Sequence, residues 1–269
     1  MVSFAHAKIN LGLNVLRKRA DGFHDLETCF YPVPWTDVLE IIPAKEFQFS
    51  SSGLMIDGIA ANNLCVKAFQ LLQKDFNLPP VQIHLHKVIP MGAGLGGGSS
   101  DGAFTLRMLN DMFELKIPRQ KLIDYAARLG SDCAFFVSDE PKIGTGRGEI
   151  LSATSITLKG KWLVLVKPPI HVSTVDAFAG IVPRENNLNL KDVVESKPVT
   201  EWKALLKNDF EETVFRRYSV IREIKETLYA RGAAYASMSG SGSSVFGIFE
   251  NGVDLKNEFS GLSFFQALL

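Results

Sequence analysis

Pro90-Met-Gly-Ala-Gly-Leu-Gly-Gly-Gly-Ser-Ser-Asp101 sets five glycines within the seven residues from Gly92 to Gly98, followed by two serines and an acid. It follows Val81-Gln-Ile-His-Leu-His-Lys87, in which Val81, Ile83 and Leu85 alternate with Gln82, His84 and His86 as on a half-buried strand. It precedes Phe104, Leu106, Met108, Leu109 and Phe113, whose spacing predicts a helix over 99–113. Glycine reaches φ > 0 without penalty and lets backbone N–H groups come close to a ligand, while a helix N-terminus adds about half a positive charge. A glycine loop between strand and helix is therefore an anion cradle, and phosphate is the natural guest. The plainer alternative is a tight turn without a ligand, which five clustered glycines leading into two serines disfavour.

Several classes of phosphate loop are excluded by the residues themselves. A Walker A loop ends in Gly-Lys-Ser/Thr, whereas Gly98 is followed by Ser99 and Ser100. Gly92, Gly94 and Gly97 satisfy G-x-G-x-x-G and keep a dinucleotide-binding oxidoreductase open as an alternative. A Rossmann unit, however, would place an acid at the end of the next strand, and Asp111 and Glu114 fall in or beside the predicted helix. The V-A-I-K, H-R-D and D-F-G segments of protein kinases are absent.

The rest of the chain frames this loop. Its 269 residues, 46% hydrophobic and 22% charged, suit one large domain or two of about 100–150 residues, and exclude a disordered chain. Lys plus Arg and Asp plus Glu both number 29, so no net charge draws the chain to nucleic acid or an anionic membrane, and a phosphate ligand must be met by local geometry. Cys29, Cys65 and Cys133 are too few and too dispersed for a disulfide framework or a zinc site, which points to a reducing compartment. With no basic-then-apolar leader and no run of 18 apolar residues, a soluble, cytoplasmic protein is expected.

Strands are predicted over 38–42, 81–87, 162–166, 234–238, 245–249 and 264–268. Helices are predicted from an Asn62-Asn63 cap to about Phe76, over 99–113, 118–129, 174–181, 201–214 and 219–231, with a turn at Gly144-Thr-Gly-Arg-Gly148 and a boundary near residue 150. Their irregular interleaving favours an α+β fold. Nothing in the pattern specifies an oligomeric state.

The residue 90–101 loop resembles the central ATP loop of the GHMP kinase superfamily, which includes galactokinases, homoserine kinases, mevalonate kinases and phosphomevalonate kinases. Three further segments carry the resemblance: Ala7-Lys-Ile-Asn-Leu-Gly-Leu-Asn14 with Arg19-Ala-Asp-Gly-Phe-His-Asp-Leu26, Leu129-Gly-Ser-Asp-Cys-Ala-Phe-Phe136, and Met238-Ser-Gly-Ser-Gly-Ser-Ser244. Their order and spacing are similar to the branch that phosphorylates the 2-hydroxyl of 4-diphosphocytidyl-2-C-methyl-D-erythritol in non-mevalonate isoprenoid formation. Phe23 stands where that branch usually has tyrosine, and Gly102 where it commonly has alanine.

The resemblance implies a two-domain α+β GHMP-kinase fold with its active-site cleft between an N-terminal ATP-binding domain over 1–152 and a C-terminal domain over 153–269. It implies that Pro90, Gly92, Gly94, Leu95, Gly96, Gly97, Gly98, Ser99 and Ser100 hold ATP, that Asp132 is the general base, and that Lys8 keeps Asp132 ionised. By the same resemblance His24 reads the cytosine edge, Phe23 and Phe178 sandwich the base, and Gly240 and Ser241 belong to a loop over the substrate. Asn10, two residues beyond Lys8 on an extended segment, points to the same side and can bond the same group. Magnesium is implied by ATP alone, with Ser100 as one candidate contact. His84 and His86 share a strand face but lack a third ligand, which argues against a metal there. Another small-alcohol kinase of the superfamily, of homoserine or mevalonate type, and a catalytically silent nucleotide sensor are the remaining alternatives.

Overall fold

A computed structural model describes residues 1–184 and 188–269. Two long strands open the chain, β1 (Val2–Lys18) and β2 (His24–Pro43), and they pair with each other. The chain forms two compact units: Met1–Ala7, Trp35–Met91 and Gly96–Asp139 make the first, and Lys8–Pro34, Gly92–Leu95 and Glu140–Leu269 the second. Because β2 is 20 residues long, its two halves serve different units.

In the first unit the C-terminal half of β2 pairs antiparallel with β4 (Val81–Lys87), which pairs parallel with β3 (Gln48–Gly53). The register sets Leu39 opposite Leu85 and Ile41 opposite Ile83, all four buried, so the period-2 alternation read in 81–87 becomes one face of the core. Three helices complete this core: α1 (Leu64–Phe76), α2 (Gly97–Met112) and α3 (Arg119–Leu129). The expected cap is present in α1, where the Asn63 side chain accepts from Cys65 N–H. Gly102 is explained by packing: a Cβ there would lie 2.9 Å from Leu64 Cβ, so the close approach of α1 and α2 requires its absence.

In the second unit the N-terminal half of β2 pairs with β5 (Lys142–Gly146), and β5 with β6 (Ile150–Ala153). An antiparallel sheet in the order β10-β7-β9-β8 is built from β7 (Trp162–Lys167), β8 (Tyr235–Met238), β9 (Val245–Phe249) and β10 (Ser263–Leu268). The helices of this unit are α4 (Thr174–Phe178), α5 (Leu190–Ser196), α6 (Trp202–Leu205), α7 (Phe210–Arg217) and α8 (Ser219–Ala230). Val164, Val166, Ile221, Leu228, Val245 and Phe249 are among the residues of its buried cluster.

Three expectations are corrected. The helix expected over 201–214 is broken into α6 and α7, because the chain leaves the helix at Leu206 and bridges to β1 at Asn208 before Asp209 returns to helical dihedrals: Leu13 N–H donates to the Lys207 carbonyl at 2.8 Å and Asp209 N–H to the Leu13 carbonyl at 2.9 Å. The turn expected at 144–148 begins later, since Gly144–Gly146 belongs to β5 and the reversal is made by Arg147–Glu149. The helix expected over 174–181 stops at Phe178.

Candidate active site

Three of the five loop glycines, Gly92, Gly94 and Gly96, have φ of +58°, +77° and +71°, the left-handed region that side chains avoid. Gly97 is needed for space instead, because a Cβ there would meet Lys87 Nζ at 2.9 Å and Ile89 Cγ2 at 3.0 Å. Gly98 is exposed, with no protein atom within 4 Å of its Cβ position, so the first turn of α2 keeps a bare backbone surface. The loop therefore ends in a helix N-terminus with open N–H groups, the arrangement that binds phosphate. Ser99 lies half-buried on that turn, and Ser100 is fully buried with its hydroxyl unpartnered.

This is not a dinucleotide crevice. The glycines follow β4, whose antiparallel partner is β2, and α2 leads into α3 rather than into a parallel strand.

Beneath the first turn of α2, Lys87 Nζ lies 2.5 Å from Asp37 Oδ2 and 2.8 Å from Asp101 Oδ2, all three side chains buried. Asp37 Oδ1 also accepts from Val88 and Ile89 N–H at 2.6 and 2.8 Å. The three groups thus tie the strand entering the loop to the helix leaving it. Burial, with Asp37 nearby, pushes the Asp101 carboxyl up to about 7, against the pull of Lys87. The sequence reading missed this network. Its signal was a lysine and an aspartate flanking a glycine loop, without the partner on β2.

In the second unit Lys8 is only 3% exposed, which rules out a solvated lysine at a strand end. Its ammonium donates to Asn10 Oδ1 at 2.6 Å and to the Gly94 carbonyl at 2.9 Å, 5.4 Å from the centroid of the Phe30 ring. The alternation of β1 puts Lys8 and Asn10 on one face, and Asn10 Nδ2 is held by Thr28 Oγ1 at 3.0 Å. The third glycine loop reaches the same place: Ser239 Oγ donates to the Gly94 carbonyl at 2.8 Å, and a Cβ on Gly94 would sit 1.9 Å from the Ser239 carbonyl oxygen. Gly240, with φ +55°, packs at its Cβ position 3.4 Å from both Asn10 Oδ1 and Gly94, and Ser241 follows half-buried. The structure thus brings Lys8, Asn10, Gly94, Ser239 and Gly240 together in one unit.

His24 and Phe178 also meet, with ring centroids 4.7 Å apart and planes 20° from parallel. Burial, then the charge of Lys18, lowers the His24 pKa and favours the neutral ring, which offers one donor and one acceptor nitrogen. Phe23 is 53% exposed, with the Arg147 guanidinium 4.9 Å from its centroid. Of the three residues expected around the base, His24 and Phe178 stack on each other, and Phe23 carries the Arg147 guanidinium over its ring.

Asp132 lies half-buried in the first turn of a 3-10 segment, Ser131–Val137, separate from α3. His84 hydrogen-bonds with Ser50 and Ser52, at 2.8 and 2.9 Å, and His86 with Ser52 at 3.0 Å, which gives both imidazoles structural partners on β3. Among the described residues no three His, Cys, Asp or Glu side chains converge as a metal site, and no helix is long and apolar enough to cross a membrane.

Comparison with known proteins places this geometry. Residues 63–140 match the family model of the GHMP kinases N terminal domain, and residues 190–265 that of the GHMP kinases C terminal. The 4-diphosphocytidyl-2-C-methyl-D-erythritol kinase of Cytophaga hutchinsonii is 54% identical over 250 residues, 93% of this chain and 92% of that protein. A crystal structure of 4-(cytidine 5'-diphospho)-2C-methyl-D-erythritol kinase superposes with a TM-score of 0.78 at 30% identity, covering 92% of this chain and 90% of the other. A homoserine kinase from Cytophaga hutchinsonii shares the fold alone, with a TM-score of 0.70 at 16% identity over 99% of this chain and 92% of its own. By both family models and by a relative 54% identical over 93% of its length, the chain belongs to the GHMP kinases, in the 4-diphosphocytidyl-2-C-methyl-D-erythritol kinase family.

Proposed function

We propose that the chain transfers the γ-phosphoryl group of ATP to the 2-hydroxyl of 4-diphosphocytidyl-2-C-methyl-D-erythritol, in the cytoplasm, as a step of non-mevalonate isoprenoid precursor formation. The observation that carries this reading is the buried Lys8 ammonium bonded to Gly94 of the phosphate loop. A desolvated lysine on a glycine cradle supplies positive charge where phosphoryl transfer develops negative charge.

In this reading residues 1–152 form the ATP-binding half and 153–269 the C-terminal half. Pro90, Gly92 and Gly94–Ser100 receive the nucleotide, with the N–H groups at the first turn of α2 facing its phosphates. Asp132 accepts the proton of the acceptor hydroxyl as its oxygen bonds to the γ-phosphorus, the bridging P–O bond to ADP breaks, and the charge of Lys8 favours the alkoxide as it forms. Asn10, Gly240 and Ser241 orient the acceptor; His24, Phe23 and Phe178 receive the cytosine by edge hydrogen bonds and stacking. The unpartnered Ser100 hydroxyl fits a magnesium ion arriving with the nucleotide, which would neutralise phosphate charge there.

The test is ADP release from the purified protein with ATP over a panel of acceptors: the cytidyl sugar alcohol, homoserine and mevalonate. The reading expects turnover with the first at a kcat/KM at least about a hundredfold above the others, a floor below the roughly 10⁴–10⁵-fold by which a site built to hydrogen-bond a group rejects an analogue lacking it. Equal or greater efficiency with homoserine or mevalonate overturns it.

A further inference from the structure

We propose that Asn208 is a positioning residue for phosphoryl transfer, clamping the Ser239–Ser244 loop onto Gly94 and through it holding Lys8 in place. The proposal rests on the kinase reading above and adds a residue that touches no substrate group in it.

Asn208 is 3% exposed and lies in the Leu206–Asp209 segment that breaks the expected helix, bridged to Leu13 of β1. The segment is fixed to β1 on both sides, by the two backbone bonds to Leu13 and by Asp209 Oδ2, which accepts from Val15 N–H at 2.7 Å. Asn208 Oδ1 accepts from Phe210 N–H at 3.0 Å, at the start of α7. Its Nδ2 donates to the Met238 carbonyl at 2.7 Å and to the Gly240 carbonyl at 2.8 Å.

Those two carbonyls flank Ser239. With its neighbours held on both sides, Ser239 closes the loop through its own N–H to Ser244 O at 2.9 Å, and its hydroxyl reaches the Gly94 carbonyl that Lys8 also uses. A primary amide is the side chain that fits: it supplies two donors and one acceptor from one planar group, whereas ionised aspartate has no donor and leucine neither. The route from Asn208 to Lys8 is thus a continuous set of hydrogen bonds, Asn208 to Met238 and Gly240, Ser239 to Gly94, and Lys8 to Gly94.

The test is a double-mutant cycle in the full-length enzyme with Asn208→Ser and Ser239→Ala, reading kcat, both KM values and amide hydrogen exchange over residues 239–244. Asn208→Ser is expected to lower kcat about tenfold or more with acceptor KM changed less than about threefold, and to speed exchange in the loop. Because both residues act through one contact, the double variant should be within about threefold of the worse single variant. Multiplying losses, a kcat above half of wild type, or unchanged exchange overturns the proposal. Should Asn208→Ser not fold, Asn208→Asp keeps the size and the Oδ1 acceptor while removing the amide donors, and carries the same expectations. Wild-type turnover separates the two ideas: an inactive wild type overturns the kinase reading, whereas loop exchange still judges the clamp.

Discussion

Lys8 Nζ and Ser239 Oγ donate to the same acceptor, the carbonyl oxygen of Gly94, at 2.9 and 2.8 Å. A carbonyl has two lone pairs, and here both are used by side chains from opposite ends of the sequence. The glycine loop is therefore fixed in mid-course. Lys8→Met should lower kcat by about 10²-fold or more while the melting temperature stays near wild type, because an apolar chain of similar length replaces a buried charge. Turnover measured beside a thermal melt checks both halves.

Asp132→Asn removes a proton acceptor and leaves the glycine loop untouched. It should cut kcat by about 10²–10⁴-fold with ATP affinity nearly unchanged, read by steady-state kinetics and nucleotide titration. A variant retaining more than half the wild-type kcat would remove Asp132 from the role of base.

Gly98→Ala separates binding from folding, because the two should move in opposite directions. The added methyl meets no protein atom within 4 Å and improves helix propensity in α2, so stability should rise by up to about 1 kcal/mol. The same methyl occupies the bare surface assigned to the phosphates, so the ATP KM should rise. A more stable variant with an unchanged ATP KM would mean that the triphosphate does not approach Gly98.

Lys87→Met leaves Asp37 and Asp101 buried without their cation, and should cost about 3–5 kcal/mol at neutral pH. The sign of its pH dependence follows from the carboxyls. Asp101 is already pushed up to about 7 in the wild type, and loss of Lys87 removes the group that pulls it down. Above the ordinary carboxylate value near 4, the folded variant holds protons that the unfolded chain has released, so its stability falls as pH rises and recovers as pH falls. Denaturant unfolding of wild type and variant at pH 5 and pH 7.5 should show the deficit shrinking at the lower value.

The glycine loop, its flanking strand and helix, and helices α1 and α3 were legible in the sequence, because each is local: an alternation, a cap, a helical stripe bounded by Pro118 and Gly130. What could not be read depends on partners far along the chain. Strands β3, β5 and β6 are short, polar or glycine-bearing and gain their character from neighbours such as His84 and Phe30. Residues 201–214 carry a helical pattern, and only the pull of β1 on 206–209 interrupts it. The spacing of Lys8 and Asn10 puts both on one face of β1, but that Gly94, Ser239 and Asn208 join them is a tertiary fact with no spacing rule behind it. His24 was expected to meet the cytosine edge, but its stacking on Phe178 required the fold.

Recognition of the acceptor through its cytidyl group is tested by comparing kcat/KM for 4-diphosphocytidyl-2-C-methyl-D-erythritol and for methylerythritol phosphate, in wild type and in His24→Ala. The wild type should strongly prefer the cytidyl substrate. His24→Ala should weaken that preference by about 1–3 kcal/mol, the cost of leaving a buried polar partner unpaired, with the ATP KM nearly unmoved. Equal efficiency on the truncated alcohol in the wild type, or equal damage to both substrates in His24→Ala, would contradict the assignment of the cytosine to His24.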